Sequence, residues 1–287
     1  MRICHLDAGR KIILFLIFLL FSPNLRAESK TEQSRPVTGV YSVEIGWQNV
    51  YASYLSPLHY KGKRLALSGE WSKAMPFNAE HAIMKFKGNG DFSNLLNPAQ
   101  TARMIGLQGN FSWGLEWRKR LPLQFQVTAG GAAEIGGGAY YLLRNGNNPV
   151  QALAHASLNI TGSVSKVISL GKLPVIVADE ISLPSFGVFF NQGYGETYFE
   201  IYLGNHKGLA HCGWWGNNFC LDNLLSLKFD FGRTAAELGY RFNAYTQWAN
   251  NLNTKIITHS IVIGVIPGGL GLKKKRILPV ETVYSVY

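Results

Sequence analysis

Between Ile105 and Val127 the side chains alternate in character. Ile105, Leu107, Phe111, Trp113, Leu115 and Trp117 take odd positions, while Gln108, Asn110, Ser112, Glu116 and Arg118 take even ones with Gly106 and Gly114. After a short break the pattern resumes as Leu121, Leu123, Phe125 and Val127 against Gln124, Gln126 and Thr128. Successive side chains of a strand point to opposite faces, so the stretch predicts a β-hairpin with one apolar and one polar face. The same period recurs in VYSVEIGWQ, RLALSGEWS, ALAHASLNITGSVS, TYFEIYL, LLSLKFDFG and AAELGYRFNAYTQW, whereas KIITHSIVIGVI is more uniformly apolar. A helical period is sustained nowhere over a comparable length.

Turn signals separate these segments at 61–64, 118–122, 170–174 and 232–234. Longer polar or glycine-rich connections are expected at about 75–100, 143–150, 185–195, 205–219 and 249–254. Ten segments are clear, and twelve result if HAIMKFKG and PVETVYSVY each pair. Closed barrels favour even numbers, which makes twelve the first expectation and ten the second.

Alternation of this kind suits a soluble sandwich, with apolar faces inward, or a transmembrane barrel, with apolar faces outward. Ionisable residues recur on the polar faces: Glu44, Glu70, Glu116, Arg118, Glu200, Lys228, Asp230, Glu237 and Arg241. Strands of ten residues or more exceed the usual soluble length of about 5–6. Trp71, Trp117, Tyr140, Tyr141 and Trp248 lie near segment ends, where an interfacial aromatic belt belongs. The expectation is therefore an all-β, closed antiparallel transmembrane barrel in the outer membrane of a Gram-negative bacterium. Its sheet must close, because an open edge would leave unpaired peptide groups in hydrocarbon.

Composition adds an address. Arg2, Arg10 and Lys11 precede the apolar run Ile12 to Phe21, Ser22-Pro23 breaks it, and Ala27 offers a small residue for cleavage. Residues 1–27 are expected to be a signal peptide, 28–38 a polar lead-in, and 39–287 one barrel domain. Loss of residues 1–27 removes four bases and one acid, leaving +8 of the formal +11. For an exported chain, that charge points to membrane lipid and lipopolysaccharide and away from nucleic acid, even with Lys273-Lys274-Lys275-Arg276 present. A protein partner is not specified by these features.

YLSPLHYKGKRLAL (54–67), YYLLRNGNNPVQALA (140–154), GVFFNQGYGETYFEIYLGN (187–205) and QWANNLN (247–253) stand in order along the chain. In these motifs it resembles a family of uncharacterised exported proteins from Bacteroidetes, classed as a domain of unknown function. The resemblance covers nearly all of the chain after residue 27, apart from the CGWWGNNFC loop and the tail after Gly271. It implies outer-membrane barrels and brings no catalytic residues.

Candidate chemistry is sparse. His155 and Ser157, two apart on one strand face with Asn159, are the pair an acyl hydrolase of lipid or lipopolysaccharide would need, although spacing supplies no acid. Lys228, Asp230, Glu237 and Arg241 on adjoining strands, with Glu116 and Arg118, could pair across a narrow lumen as a plug or line an ion path. Arg144, Asn145, Asn147 and Asn148 form a polar loop suited to turn geometry or to a sugar or head group. Cys212 and Cys220 are expected to form a disulfide; a metal site with His206 and His211 is the lesser alternative, and neither metal nor cofactor is expected. A non-enzymatic structural barrel or narrow pore for small polar solutes comes first. The hydrolase and a glycan-binding module using Trp214 and Trp215 follow.

Overall fold

A computed structural model of the chain describes residues 35–196, 198–270, 272 and 285–287. The expected signal peptide, most of the lead-in and the Lys273–Arg276 run lie outside these residues. Eleven strands follow in order: β1 (Thr38–Ala52), β2 (Ser56–Ala74), β3 (Ala82–Leu96), β4 (Arg103–Leu121), β5 (Phe125–Leu142), β6 (Val150–Leu170), β7 (Leu173–Phe190), β8 (Ala210–Gly213), β9 (Asn218–Asp230), β10 (Thr234–Ala249) and β11 (Leu252–Pro267). Each pairs antiparallel with its neighbour, β1 with β11 and β6 with β7, so that ten of them close into a barrel. The short β8 stands apart from that ring and pairs with the upper end of β7.

Ten barrel strands replace the expected twelve. HAIMKFKG is the start of the full strand β3, so the expected 75–100 connection shrinks to a seven-residue turn at 75–81 and a loop at 97–102. KGKR is no turn but lies inside β2, where Lys61 and Lys63 point outward near the loop end. TYFEIYL is not a strand: it forms the short helix α1 (Tyr198–Tyr202) within the β7–β8 connection, and Glu200 therefore leaves the inward face. Of PVETVYSVY, residues 285–287 are not in a strand, and the rest lies outside the described residues.

Polarity across the wall is inverted relative to a soluble core. On β1, Glu44 is 0% exposed and Gln48 is buried, while Val43 is 41%, Ile45 56% and Trp47 63% exposed. The same reversal recurs on β4, where Leu107, Trp113 and Trp117 face out and Glu116 and Arg118 are buried. Tyr140 departs from the expected aromatic belt. It is fully buried and points inward, its hydroxyl donating to Gln48 Oε1 at 3.1 Å.

The interior is stopped at both ends. Near the loops, Val50, Leu55, Leu95, Met104, Tyr140 and Leu252 pack into an apolar roof. At the end carrying the 122–124, 171–172 and 231–233 turns, Val40, Ile176, Ala178, Ala235, Ile266 and Leu270 form a floor. Gly130 and Gly138 let β5 lie close to β4: a Cβ on Gly130 would meet the Leu115 carbonyl, and one on Gly138 the Leu107 carbonyl. Gly138→Val is therefore expected to cost roughly 1–3 kcal/mol through overpacking. A lower temperature for loss of the compact band on an SDS gel would show it.

Candidate functional site

The inward residues between roof and floor carry two ion-paired clusters, one around Glu44 and one around Glu180. Glu44 stands between two bases, with Arg64 Nη1 at 3.0 Å from Oε2 and Arg241 Nη1 against Oε1. Arg64 also reaches Asp91 at 3.3 Å, and Arg241 reaches Asp222 at 3.3 Å. Nearer the floor, Glu180 collects three lysines: Lys87 at 2.7 Å, and Lys85 and Lys228 at 3.6 Å. Alternating small residues leave room for these long side chains, since Gly106, Gly114 and Gly130 share the inward rows of β4 and β5.

The expected lumenal charges meet different partners. Glu116 accepts from Lys85 at 2.9 Å and from the Thr128 hydroxyl at 2.9 Å. Lys228 and Glu237 face one another in the β9–β10 register and pair at 3.6 Å, as adjoining strands suggested. Arg241 turns instead to Glu44 and Asp222. Among the described residues Asp230 joins neither cluster: it caps the floor, accepting from the backbone N–H of Gly232 at 2.8 Å and of Leu272 at 2.9 Å. Arg118 also serves the floor, donating to the carbonyls of Ala79, Glu80 and Ser285. Ser285–Tyr287 are seated there too, with Lys228 Nζ donating to the Tyr287 hydroxyl at 2.6 Å.

Sequence reasoning missed Lys85, Lys87 and Asp91, which fall within the expected 75–100 connection; Arg64 stands on the polar face of RLALSGEWS but also ends the KGKR turn signal. Glu134, Glu180 and Asp222 were missed as well. Parity alone could have found Glu180 and Asp222, which continue the inward rows of β7 and β9.

His155 does have an acid. Its Nε2 lies 3.2 Å from Glu134 Oε1, and Asn159 Nδ2 donates to Glu134 Oε2 at 3.1 Å. Ser157, however, donates its hydroxyl to Asn159 Oδ1 at 2.8 Å rather than to the imidazole. A nucleophile needs its proton directed at the base, so this geometry is that of a hydrogen-bonded lumen wall. Glu134, His155 and Asn159 border a cavity of about 120 Å³ shared with Asp91, Asp222 and Arg241; a second, of about 80 Å³, adjoins it at Glu134 and Asp222.

The polar loop after β5 is bonded to the scaffold. Asn145 Nδ2 donates to the Leu55 carbonyl at 3.1 Å, the Leu142 N–H to the Pro149 carbonyl at 2.8 Å, and Asn148 takes a left-handed φ of 48°. Arg144 and Asn147 point to solvent. Nearby, the Tyr54 hydroxyl donates to the Glu196 carbonyl, and burial raises that phenol above its ordinary range.

The expected disulfide is absent: Cys212 and Cys220 are both free thiols. Cys212 lies opposite the outward Val188, whereas Cys220 borders the lumenal cavity. The turn at Trp214–Asn217 separates their strands and places them on opposite faces of the wall, where no S–S bond can close. Cys212 is expected to react with an anionic aromatic disulfide reagent in the folded protein, and Cys220 only after unfolding. A chain with no titratable thiol after denaturation would contradict this.

The fold and site define a closed ten-stranded barrel with a salt-bridged interior. Residues 12–276 match the family described as Protein of unknown function (DUF3316), and the chain belongs to that family. No curated protein matches the chain significantly. Among solved structures, it is similar to the transport unit of the autotransporter AIDA-I from Escherichia coli at TM-score 0.46 and 6% identity, covering 91% of this chain and 96% of that one. It is similar to outer membrane protease OmpT from Escherichia coli at TM-score 0.43 and 7% identity, covering 84% and 99%. The translocator domain of autotransporter NalP from Neisseria meningitidis is similar at TM-score 0.42 and 8% identity, covering 91% and 96%.

Removing one member of a buried pair leaves the other charge uncompensated. Glu44→Gln takes one of two carboxylates from each of Arg64 and Arg241, leaving them to Asp91 and Asp222, and a loss of ~1.5–3 kcal/mol is expected. Urea unfolding in detergent, followed by tryptophan fluorescence, measures it.

Proposed function

We propose that the protein is an exported, non-enzymatic outer-membrane barrel of a Gram-negative bacterium, held closed by its own interior. The observation that carries the reading is the reversal on β1, where a fully buried carboxylate alternates with exposed Val43, Ile45 and Trp47. Water would penalise such a surface around a whole barrel, while acyl chains solvate it. Strand length agrees. Barrel strands of 13–21 residues exceed the 9–11 that a tilted strand needs to cross hydrocarbon. The 122–124, 171–172 and 231–233 turns share an end with Thr38 and Pro267, and the long β7–β8 connection lies at the other. This matches a barrel with short periplasmic turns and longer outer loops.

A structural, non-conducting role is favoured over a solute pore because the roof and floor leave the wet part of the lumen as two small cavities. Its contacts are with membrane lipid and lipopolysaccharide. Refolded protein in planar bilayers is expected to show no steady conductance, and Trp113 and Trp117 fluorescence to be quenched by brominated lipid. Stable channels would overturn the closed state; unquenched tryptophans would overturn the embedding.

A further inference from the structure

One interval of the wall lacks the continuous ladder found elsewhere. β7 pairs with β9 from Val175 to Ser182 and with β8 from Gly187 to Phe190. Between these stretches, residues 183–186 face the Trp214–Asn217 turn and the start of β9 without a β7–β9 register. Each side keeps its other neighbour: Leu183, Pro184 and Phe186 pair with β6, and Asn218–Leu221 with β10. A register shift between Leu158 and Asn159 lies at the same level, and Ser185 is the residue without a β6 partner. Pro184 has no N–H to contribute. Its carbonyl is capped by a side chain, the Trp215 indole N–H.

The 120 Å³ cavity lies directly behind this interval. Ser182 and Asn159 border it from one side of the seam, Cys220 and Asp222 from the other. Outside the seam, Leu158, Phe186 and Trp215 are 55–57% exposed. An apolar surface and a polar chamber are thus separated by a wall fastened there by one indole. The axial routes are closed by the roof and the floor.

The chamber's chemistry selects what could enter. Its charges are already committed, Arg64 to Glu44 and Asp91, Arg241 to Glu44 and Asp222, and Glu134 to His155. What remains are neutral polar groups, chiefly amides, with Asn89 and Asn110 opposite one another on β3 and β4, beside Gln108, Asn243 and Tyr245. Amides both donate and accept, which suits hydroxyl groups. A chamber of about 120 Å³ is on the scale of a small polyol such as a glycerol head.

We propose that the β7–β9 seam is a lateral portal through which the chamber takes the uncharged, hydroxyl-bearing head of a single-chain lipid, its tail leaving between Phe186 and Trp215. The proposal rests on the membrane-embedded reading above. Its test uses the full-length protein in lipid nanodiscs with 1-monooleoylglycerol carrying a diazirine on the glycerol, crosslinks being mapped by peptide mass spectrometry. Crosslinks are expected at Ser182–Phe186 and Cys220–Asp222. Val188 and Cys212 are directly opposed in the β7–β8 register, so Val188→Cys can be stapled to the native thiol. Oxidation should cut the lumenal crosslinks at least five-fold and reduction should restore them. Trp215→Ala, which needs no staple, should raise them several-fold.

Crosslinks confined to the outward belt around Trp113 and Trp117 would overturn the portal while leaving the embedding intact. Lumenal crosslinks indifferent to both variants would also overturn it, as would equal labelling by a lysophosphatidic acid analogue. Absence of any crosslink would overturn the portal, and brominated-lipid quenching would then decide the embedding separately.

Discussion

Glu44 has no contact with solvent, and two guanidinium groups close on its two oxygens from β2 and β10. This contact spans the join between the first and last strands, because β1 pairs with β2 on one side and with β11 on the other. Closing the sheet therefore brings together side chains nearly two hundred residues apart in sequence, and only in the closed form does Glu44 gain its second guanidinium. An isolated carboxylate in such a place would be driven to neutrality. The chain of contacts from Asp91 through Arg64, Glu44 and Arg241 to Asp222 keeps each charge beside its opposite. Barrel closure thus completes a pairing that the hairpins begin.

That coupling also explains what the lumen can and cannot do. An arginine held by two carboxylates is poorly placed to bind a passing anion, and Glu134, held by His155 and Asn159, is poorly placed to accept a proton from Ser157. The interior therefore resembles a cross-linked filler more than a catalytic cleft. Roof and floor act differently. They are apolar, and they stop the filler's polar groups from meeting bulk water at either end. Arg118 marks the change between the two regimes, since it lies on the inward row of β4 yet satisfies itself on backbone carbonyls.

Much of this was legible where strand parity was uninterrupted. Glu116, Lys228 and Glu237 were placed on the inward face by the two-residue period, and the β9–β10 hairpin made the Lys228–Glu237 contact foreseeable. Parity failed where other signals mimic it or mask it. Lys61 and Lys63 resemble turn residues because β2 there nears the loop end and can carry outward charge. On β3 the outward positions Gly88 and Gly90 dilute the alternation, which hid Lys85, Lys87 and Asp91. Phe199, Ile201 and Leu203 alternate like a strand, but one turn of helix in the β7–β8 connection needs no inward face at all. Cys212 and Cys220 share even numbers, and only the intervening turn at Trp214–Asn217 puts them on opposite sides of the wall.

A filled ionic lumen brings no gain in stability by itself, since an apolar core of equal volume is often at least as stable as buried ion pairs. The constraint lies in the other face. If the outward row must be apolar for lipid, an apolar inward row would turn each strand into an unbroken hydrophobic run. Two such strands joined by a two- or three-residue turn would approach the length of about 20 apolar residues that reads as a membrane-spanning helix. Inward polar and charged side chains break that run: Lys228 and Ser226 separate Leu225, Leu227 and Phe229, and Glu237 and Arg241 interrupt the next strand. Once charges occupy the inward row, a narrow barrel has to pair them, and the network around Glu44 and Glu180 is that pairing. The salt bridges follow from the period of the sequence, and the closed lumen follows from the salt bridges.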